Sequence, residues 1–496
     1  MKRSAALFAL ATLTAATIAV PTSWSSPAAK TPKVVVIGID GAMLSKIQAF
    51  DTPALKGLIA SGQATRTSLY AQPFAPTLSG PGWATNATGV WPDKHKVKSN
   101  SWGTSTDLSR YPDFLTRLER AKPALSTYAI ADWTPLTTNS AGQAIFSDEV
   151  QRKVTLDGDA LGWAQADARI GAEAAAYLKD TGPDASFVYF GDVDIAGHSC
   201  GAAGACYRKA LEQTDRHIGG LLAAVKARPT YADEEWTFLV TSDHGHTDAG
   251  GHGGNTPAER ASYVISSAKA VGGAVKNVDI APTVLAKFGI TAAELDGRPI
   301  GTASSDPFDA VTLQPRVDET GIPADVLGWS QTTPAGWGID NSAMGTGGMR
   351  EWRGWSFTTD DFWTRTHAGQ QRESNVRARG VFAVADSDEW SDKTRTGFFN
   401  SKLTSPAYDV QGAGKAVISS HYLKSGNEKA SVLVSFDGGA AQTVLTYGGD
   451  VIAKSERLEV AVPSGASRMT VSWTLTNGDN DWYWAVDGPQ VTKLAS

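Results

Sequence analysis

Short runs of β-branched and aromatic residues recur from Lys33 to about Ile300, separated by stretches with helical spacing. Val34–Ile39, Ser186–Phe190 and Thr237–Thr241 are brief and almost free of charge, which predicts strands buried inside a sheet. Thr52–Ser61, with Pro53 in its first turn, Tyr111–Lys122, Leu161–Leu178 and Tyr207–Val225 carry helical periodicity. Alternation of this kind predicts an α/β fold with a mostly parallel central sheet flanked by helices. Ligands of such folds bind beyond the carboxyl ends of the strands.

The pattern changes after Ile300. Residues 303–315 are a Thr/Ser/Asp/Pro-rich linker, and beyond them the helical period fades. Ser431–Phe436, Arg457–Val462 and Arg468–Leu475 alternate with a two-residue period, and Asp437-Gly438-Gly439 supplies a turn. Residues 316–496 are therefore expected to form an all-β sandwich or jelly roll, with residues 33–302 as the chemical domain. The β part holds nine of the 16 tryptophans. Two roles stay open for them: core residues, or exposed rings that stack on a glycan or cell-wall sugar. Asp386, Asp388, Asp392, Asn477, Asp479, Asp481 and Asp487 are candidate ligands for a structural Ca²⁺, and equally ordinary turn residues.

Composition narrows the function. A chain of 496 residues with net charge −6 has room for several domains and no electrostatic case for a nucleic-acid surface. Lys2-Arg3, an apolar run to Val20 and small residues near Ser25–Ala29 predict a signal peptide over 1–29. No second apolar span follows, so the expectation is a secreted protein without a membrane segment. The only two cysteines, Cys200 and Cys206, are expected to close a small Gly-rich loop as a disulfide in that oxidising setting.

The candidate chemistry sits at strand ends. Asp40 closes the first strand, Asp192 and Asp194 follow the second, and Asp243-His244-Gly245-His246 follows the third. His198 lies four residues beyond Asp194, on what reads as a turn, and His252 sits in a loop of four glycines. Carboxylate and imidazole ligands suit Zn²⁺, Mn²⁺ or Fe, and a site for two such ions suits displacement at phosphorus. A hydroxyl nucleophile is expected in Ala75–Pro92, where a helix begins near Ser79. Thr77 and Ser79 are both candidates there, and both are also natural N-caps.

Taken together, these segments resemble the alkaline phosphatase superfamily, and within it the type I phosphodiesterase/nucleotide pyrophosphatase branch. The motifs are strand-Asp40-Gly41, Thr88-Gly89-x-x-Pro92, Asp194-x-x-x-His198 and Ser242-Asp243-His244-Gly245, with Asn277–Leu285 and Leu295–Pro299 near the end. The resemblance implies Ser79 as nucleophile, with Thr77 second. It implies two divalent metals, preferably Zn²⁺, one held by Asp194, His198 and His252 and the other by Asp40, Asp243 and His244. It leaves His246 between a loop histidine and a ligand, and makes Asp192 and Asp248 candidates for orienting ligands.

Two departures from the family stand out. Gly82 occupies a position, three after the nucleophile, where nucleotide pyrophosphatases carry asparagine. Trp83 stands where sulfatases of the superfamily need arginine, which disfavours sulfatase chemistry. The expected activity is hydrolysis of a small phosphate ester, as a diesterase or a monoesterase. A glycan-binding surface protein without catalysis is the alternative from another class.

Overall fold

The computed structural model describes residues 29–269, 272–410 and 413–494. The predicted leader over 1–29 lies outside them apart from its last position. No described helix is long and apolar enough to cross a membrane.

Seven strands build the first sheet: β1 (Thr31–Ile39), β2 (Gln63–Ser68), β3 (Thr127–Ala131), β4 (Arg152–Thr155), β5 (Ala185–Phe190), β6 (Glu234–Thr241) and β7 (Ala261–Ser266). Their spatial order is β2-β7-β6-β1-β5-β3-β4. The five from β6 to β4 run parallel, while β7 and β2 add an antiparallel edge. Alternation along β1 sends Val34 and Val36 to one face and Val35, Ile37 and Ile39 to the other, and both faces are covered by helices. Gly38 pairs with Thr241 and Ile39 with Phe190, so β1, β5 and β6 end level with one another. Asp40, Asp192 and Asp243 therefore leave the sheet along one edge.

The predicted helices are present with local adjustments. Pro53–Ser61, Phe114–Ala121 and Ala205–Lys226 match their expected spans closely. The stretch Leu161–Leu178 is interrupted: Gly158–Leu161 stops at Gly162, whose φ of +82° suits glycine, and Trp163–Asp180 starts afresh. Asp194 and His198 lie on a helix, Asp192–Cys200, and not on a turn. The cysteines that follow are bonded, Cys200 to Cys206, as the sequence predicts.

From Gln314 onward the described strands form antiparallel sheets of seven, six and two strands. A single core joins them, with Phe357, Val384 and Trp484 from one sheet against Leu403, Val432 and Trp473 from the other. Eight of the nine tryptophans are buried: Trp329, Trp337, Trp352, Trp355, Trp363, Trp390, Trp473 and Trp484. Trp482 is partly buried against the same core. They fill the interior and offer no stacking platform among the described residues. Several of the expected calcium ligands have protein partners instead: Asp386 and Asp388 face Arg372, Asp479 pairs with Arg395, and Asp487 accepts from the Arg379 amide.

The β unit packs on the α/β unit through buried polar contacts. Arg260 pairs with Asp360 at 3.1 Å, Arg379 with Asp279 at 2.7 Å, and Ser374 donates to the Gln72 carbonyl at 2.8 Å.

Candidate active site

The level strand ends bring two groups of side chains together. Asp40, Asp243 and His244 place one ligand atom each within 4.8 Å of one another, and so do Asp194, His198, His246 and His252. The helix Ser79–Thr88 begins beside the first group, with Ser79 Oγ 3.3 Å from His244 Nε2.

In the first group, each carboxylate has one oxygen fixed by protein and one without a partner. Asp40 Oδ2 accepts from Tyr189 Oη at 2.5 Å and from Trp83 Nε1 at 2.9 Å. Asp243 Oδ1 accepts from the Gly41 amide at 3.2 Å. The other oxygens, Asp40 Oδ1 and Asp243 Oδ2, are buried without a hydrogen-bond partner. They lie 3.4 and 3.2 Å from His244 Nε2, while the His244 Nδ1–H points to the Gly245 carbonyl. Four donors on a tetrahedral ion with 2.0–2.1 Å bonds stand about 3.3 Å apart. Ser79, Asp40, Asp243 and His244 thus have the chemistry and spacing of a cation cage.

The second group separates into ligand-like and supporting contacts. His198 Nε2 is 3.3 Å from Asp194 Oδ2 and 3.1 Å from His252 Nε2, again close to donor spacing on one ion. His246 Nε2 is only 2.6 Å from Asp194 Oδ1, a hydrogen-bond distance. His246 is fully buried, wedged where a Cβ on Gly41 or on Gly197 would approach its ring within 2.8 Å. His252 reaches the group through Gly251 and Gly253, at φ +90° and +108°, and stacks on His244 with ring centroids 3.6 Å apart. His246 lies in the loop after β6, but it is buried and oriented by Asp194, not solvent-facing.

Electrostatics fit the same picture. Burial, followed by the Asp194 charge, raises Asp40 to about 7, and burial with Asp40 and Asp194 raises Asp243 well above its usual range. Burial also works against ionisation of Asp194, but hydrogen bonds from His198 and His246 outweigh it and hold that carboxyl low. Burial lowers His244 and His252 to about 4, so both rings are neutral and free to donate a lone pair at neutral pH. No lysine or arginine among the described residues pairs with Asp40, Asp194 or Asp243.

Asp192 and Asp248 do not touch the ligand-like histidines; Asp248 pairs with Lys46 at the surface. Trp83, Tyr189, His246 and Thr77 hold the site instead. One sequence signal for Trp83 existed: Gly38 inside a strand, where a Cβ would meet the Trp83 ring at 2.5 Å. Gly82 is equally constrained, since a Cβ there would lie 2.5 Å from the Asp243 carbonyl oxygen. Asn100 was also missed. Its Oδ1 accepts from the Gly80 amide at 2.8 Å, which sets an exposed side-chain amide beside Ser79.

Residues 34–279 match the family profile described as type I phosphodiesterase / nucleotide pyrophosphatase. This part of the chain belongs to that family. Ectonucleotide pyrophosphatase/phosphodiesterase family member 7 of Mus musculus is 25% identical over 234 residues, covering 45% of this chain and 52% of the relative. The Homo sapiens protein of that name is 23% identical over 224 residues, covering 43% and 48%. The chain thus spans about half the length of the curated relatives it matches. Among solved structures, human ectonucleotide pyrophosphatase / phosphodiesterase 5 gives a TM-score of 0.41 at 14% identity, covering 53% of this chain and 97% of that one. A 2-O GAG sulfatase gives 0.43 at 12% identity, covering 66% and 80%. The type I phosphodiesterase region ends at Asp279, so the family match leaves the β unit outside it.

Proposed function

We propose that this chain is a secreted, metal-dependent phosphoric ester hydrolase that acts on small phosphodiesters with Ser79 as nucleophile. The observation that carries the reading is the pair of unpartnered buried oxygens, Asp40 Oδ1 and Asp243 Oδ2, facing His244 Nε2 next to Ser79 Oγ. Family membership of residues 34–279 supports phosphorus as the reacting centre. Asp40, Asp243 and His244 would hold one ion and Asp194, His198 and His252 the other, with Zn²⁺ preferred for this ligand set. When bound, the ions supply positive charge that lowers the Ser79 pKa and neutralises the phosphate oxygens.

The chain's own residues do the rest. Ser79 Oγ gives its proton to water and attacks phosphorus in line; its O–P bond forms as the ester O–P bond breaks, and the departing alkoxide takes a proton back from water to leave as the alcohol. Water then cleaves the phosphoserine, returning Ser79 and releasing a phosphomonoester. With no room for a side chain at Gly82, the Asn100 amide is the donor placed to hold a phosphate oxygen. The apolar leader of the sequence and the Cys200–Cys206 disulfide support export. The reading includes neither calcium nor glycan in the β unit, where Asp386, Asp388 and Asp479 pair with arginines and eight of the nine tryptophans are buried.

The test is hydrolysis of bis-p-nitrophenyl phosphate and p-nitrophenyl phosphate by purified protein with Zn²⁺, for wild type and Ser79→Ala. Diester turnover should fall at least about 10³-fold in the variant, near 4 kcal/mol of activation energy. Faster monoester turnover would assign a phosphatase. No turnover of either ester with any divalent metal would refute the enzyme.

A further inference from the structure

Thr77, the second hydroxyl near the nucleophile, makes neither of the contacts its position in the sequence suggests. The N-cap position of the helix Ser79–Thr88 belongs to Leu78, which offers no side-chain cap, and the first free amide of that helix, Gly80, is taken by Asn100. Thr77 is completely buried, and its hydroxyl bonds Gly253 and Gly254, not the helix.

It closes instead on the loop that carries His252. Thr77 Oγ1 donates to the Gly254 carbonyl at 2.9 Å and accepts from the Gly253 amide at 3.0 Å. The Thr77 carbonyl faces His252 Nδ1 at 2.7 Å. A carbonyl can only accept, so the proton sits on Nδ1, and Nε2 keeps its lone pair toward His198 and Asp194. Glu259 completes the hold by accepting from the Gly254 amide at 2.8 Å. The loop's other backbone ties lie before His252, where Thr247 bonds Gly250 and Gly251. Gly250, Gly251 and Gly253 all adopt positive φ, a conformation that glycine holds with no side chain to pack.

We infer that Thr77 is a positioning residue that fixes the tautomer and place of His252, and so sets metal occupancy at the Asp194–His198–His252 position. The inference rests on the metal reading above. It also explains how one short segment serves both halves of the site. Thr77 stands two residues before Ser79, so the nucleophile and the most loosely tethered ligand are referenced to the same stretch of backbone.

The experiment compares full-length wild type, Thr77→Val and Thr77→Ser. The first readout is zinc per chain by plasma mass spectrometry after dialysis against a weak chelator. The second is hydrogen exchange at the Gly253 amide in metal-free protein. Wild type and Thr77→Ser should keep two ions. Thr77→Val should keep one, with affinity at the other position about 10–100-fold lower, and its Gly253 amide should exchange faster. If Thr77→Val does not fold, Thr77→Ala removes the hydroxyl without adding a methyl group and serves in its place.

Two ions and unchanged Gly253 exchange in the Val or Ala variant would overturn the inference. So would equal zinc loss in Thr77→Ser, because the hydroxyl would then not be the cause. A wild type that binds no metal would refute the proposed function instead, while the exchange comparison would still decide whether Thr77 holds the loop.

Discussion

Two buried acidic clusters in this molecule are neutralised in opposite ways. In the β unit, Asp386, Asp388 and Glu389 surround Arg372, whose guanidinium lies 3.2, 3.3 and 2.6 Å from them and is itself fully buried. The ring centroids of Trp363 and Tyr483 lie 5.6 and 5.4 Å from that guanidinium. At the sheet edge, Asp40, Asp194 and Asp243 have histidines and hydroxyls around them, and among the described residues no lysine or arginine pairs with them. A built-in guanidinium is permanent and serves packing. Asp40 and Asp243, each with one buried oxygen left without a partner beside His244 Nε2, are arranged for a charge that arrives from solution. Acidic composition alone does not separate the two; the partner of the second oxygen does.

The comparison can be broken from either side. The largest effect is expected for Asp243→Asn, which should lower kcat/KM for bis-p-nitrophenyl phosphate about 10⁴-fold, or about 5.5 kcal/mol, with loss of one zinc per chain. Near-normal zinc content in that variant would remove Asp243 from the ligand set. Arg372→Met should do the reverse. Stranding three buried acids should destabilise the fold by about 3–5 kcal/mol in urea titration, with zinc per folded chain unchanged. Trp83→Phe keeps the ring and deletes the donor to Asp40 Oδ2. It should weaken zinc binding by about 10–100-fold in chelator competition while the melting temperature moves little.

The smallest effect is a pH dependence in the β unit. Burial raises Glu428 to about 8, although the Ser387 hydroxyl donates to it at 2.9 Å. The folded state therefore holds this proton more tightly than the unfolded chain does. That stabilisation is complete below about pH 4.5 and disappears as pH rises toward 8. Glu428→Gln should flatten the stability profile across that window. An identical slope in wild type and variant would show that Glu428 ionises freely.

Much of the α/β part was legible because its signals are local. The strands around Val34–Ile39, Ser186–Phe190 and Thr237–Thr241 are short apolar runs, and strand-end aspartates followed by glycine or histidine stand out against them. β2 and β4 were not legible. Gln-Ala-Thr-Arg-Thr-Ser and Arg-Lys-Val-Thr are polar edge strands, and an edge needs little apolar surface. The helix under Asp194 and His198 was read as a turn, because Asp192–Cys200 contains glycine, two aspartates and serine and little helical stripe. The six expected metal ligands and Ser79 do converge in space. Their supports, Trp83, Tyr189, His246 and Thr77, depend on contacts such as Tyr189 to Asp40 across 149 positions, and no local pattern encodes those.

The charged seam between the two units has a consequence for how such a protein can be cut or recombined. Arg260, Lys276 and Asp279 of the phosphodiesterase region are buried against Asp360, the Val376 carbonyl and Arg379 of the β unit. A gene fragment ending near position 302 would encode a surface with stranded charges where solvent was never meant to reach. The β unit is thus not interchangeable cargo. Shuffling it onto a sister hydrolase would succeed only if the recipient offered the same ionic pattern, so the two halves are expected to be inherited as a pair.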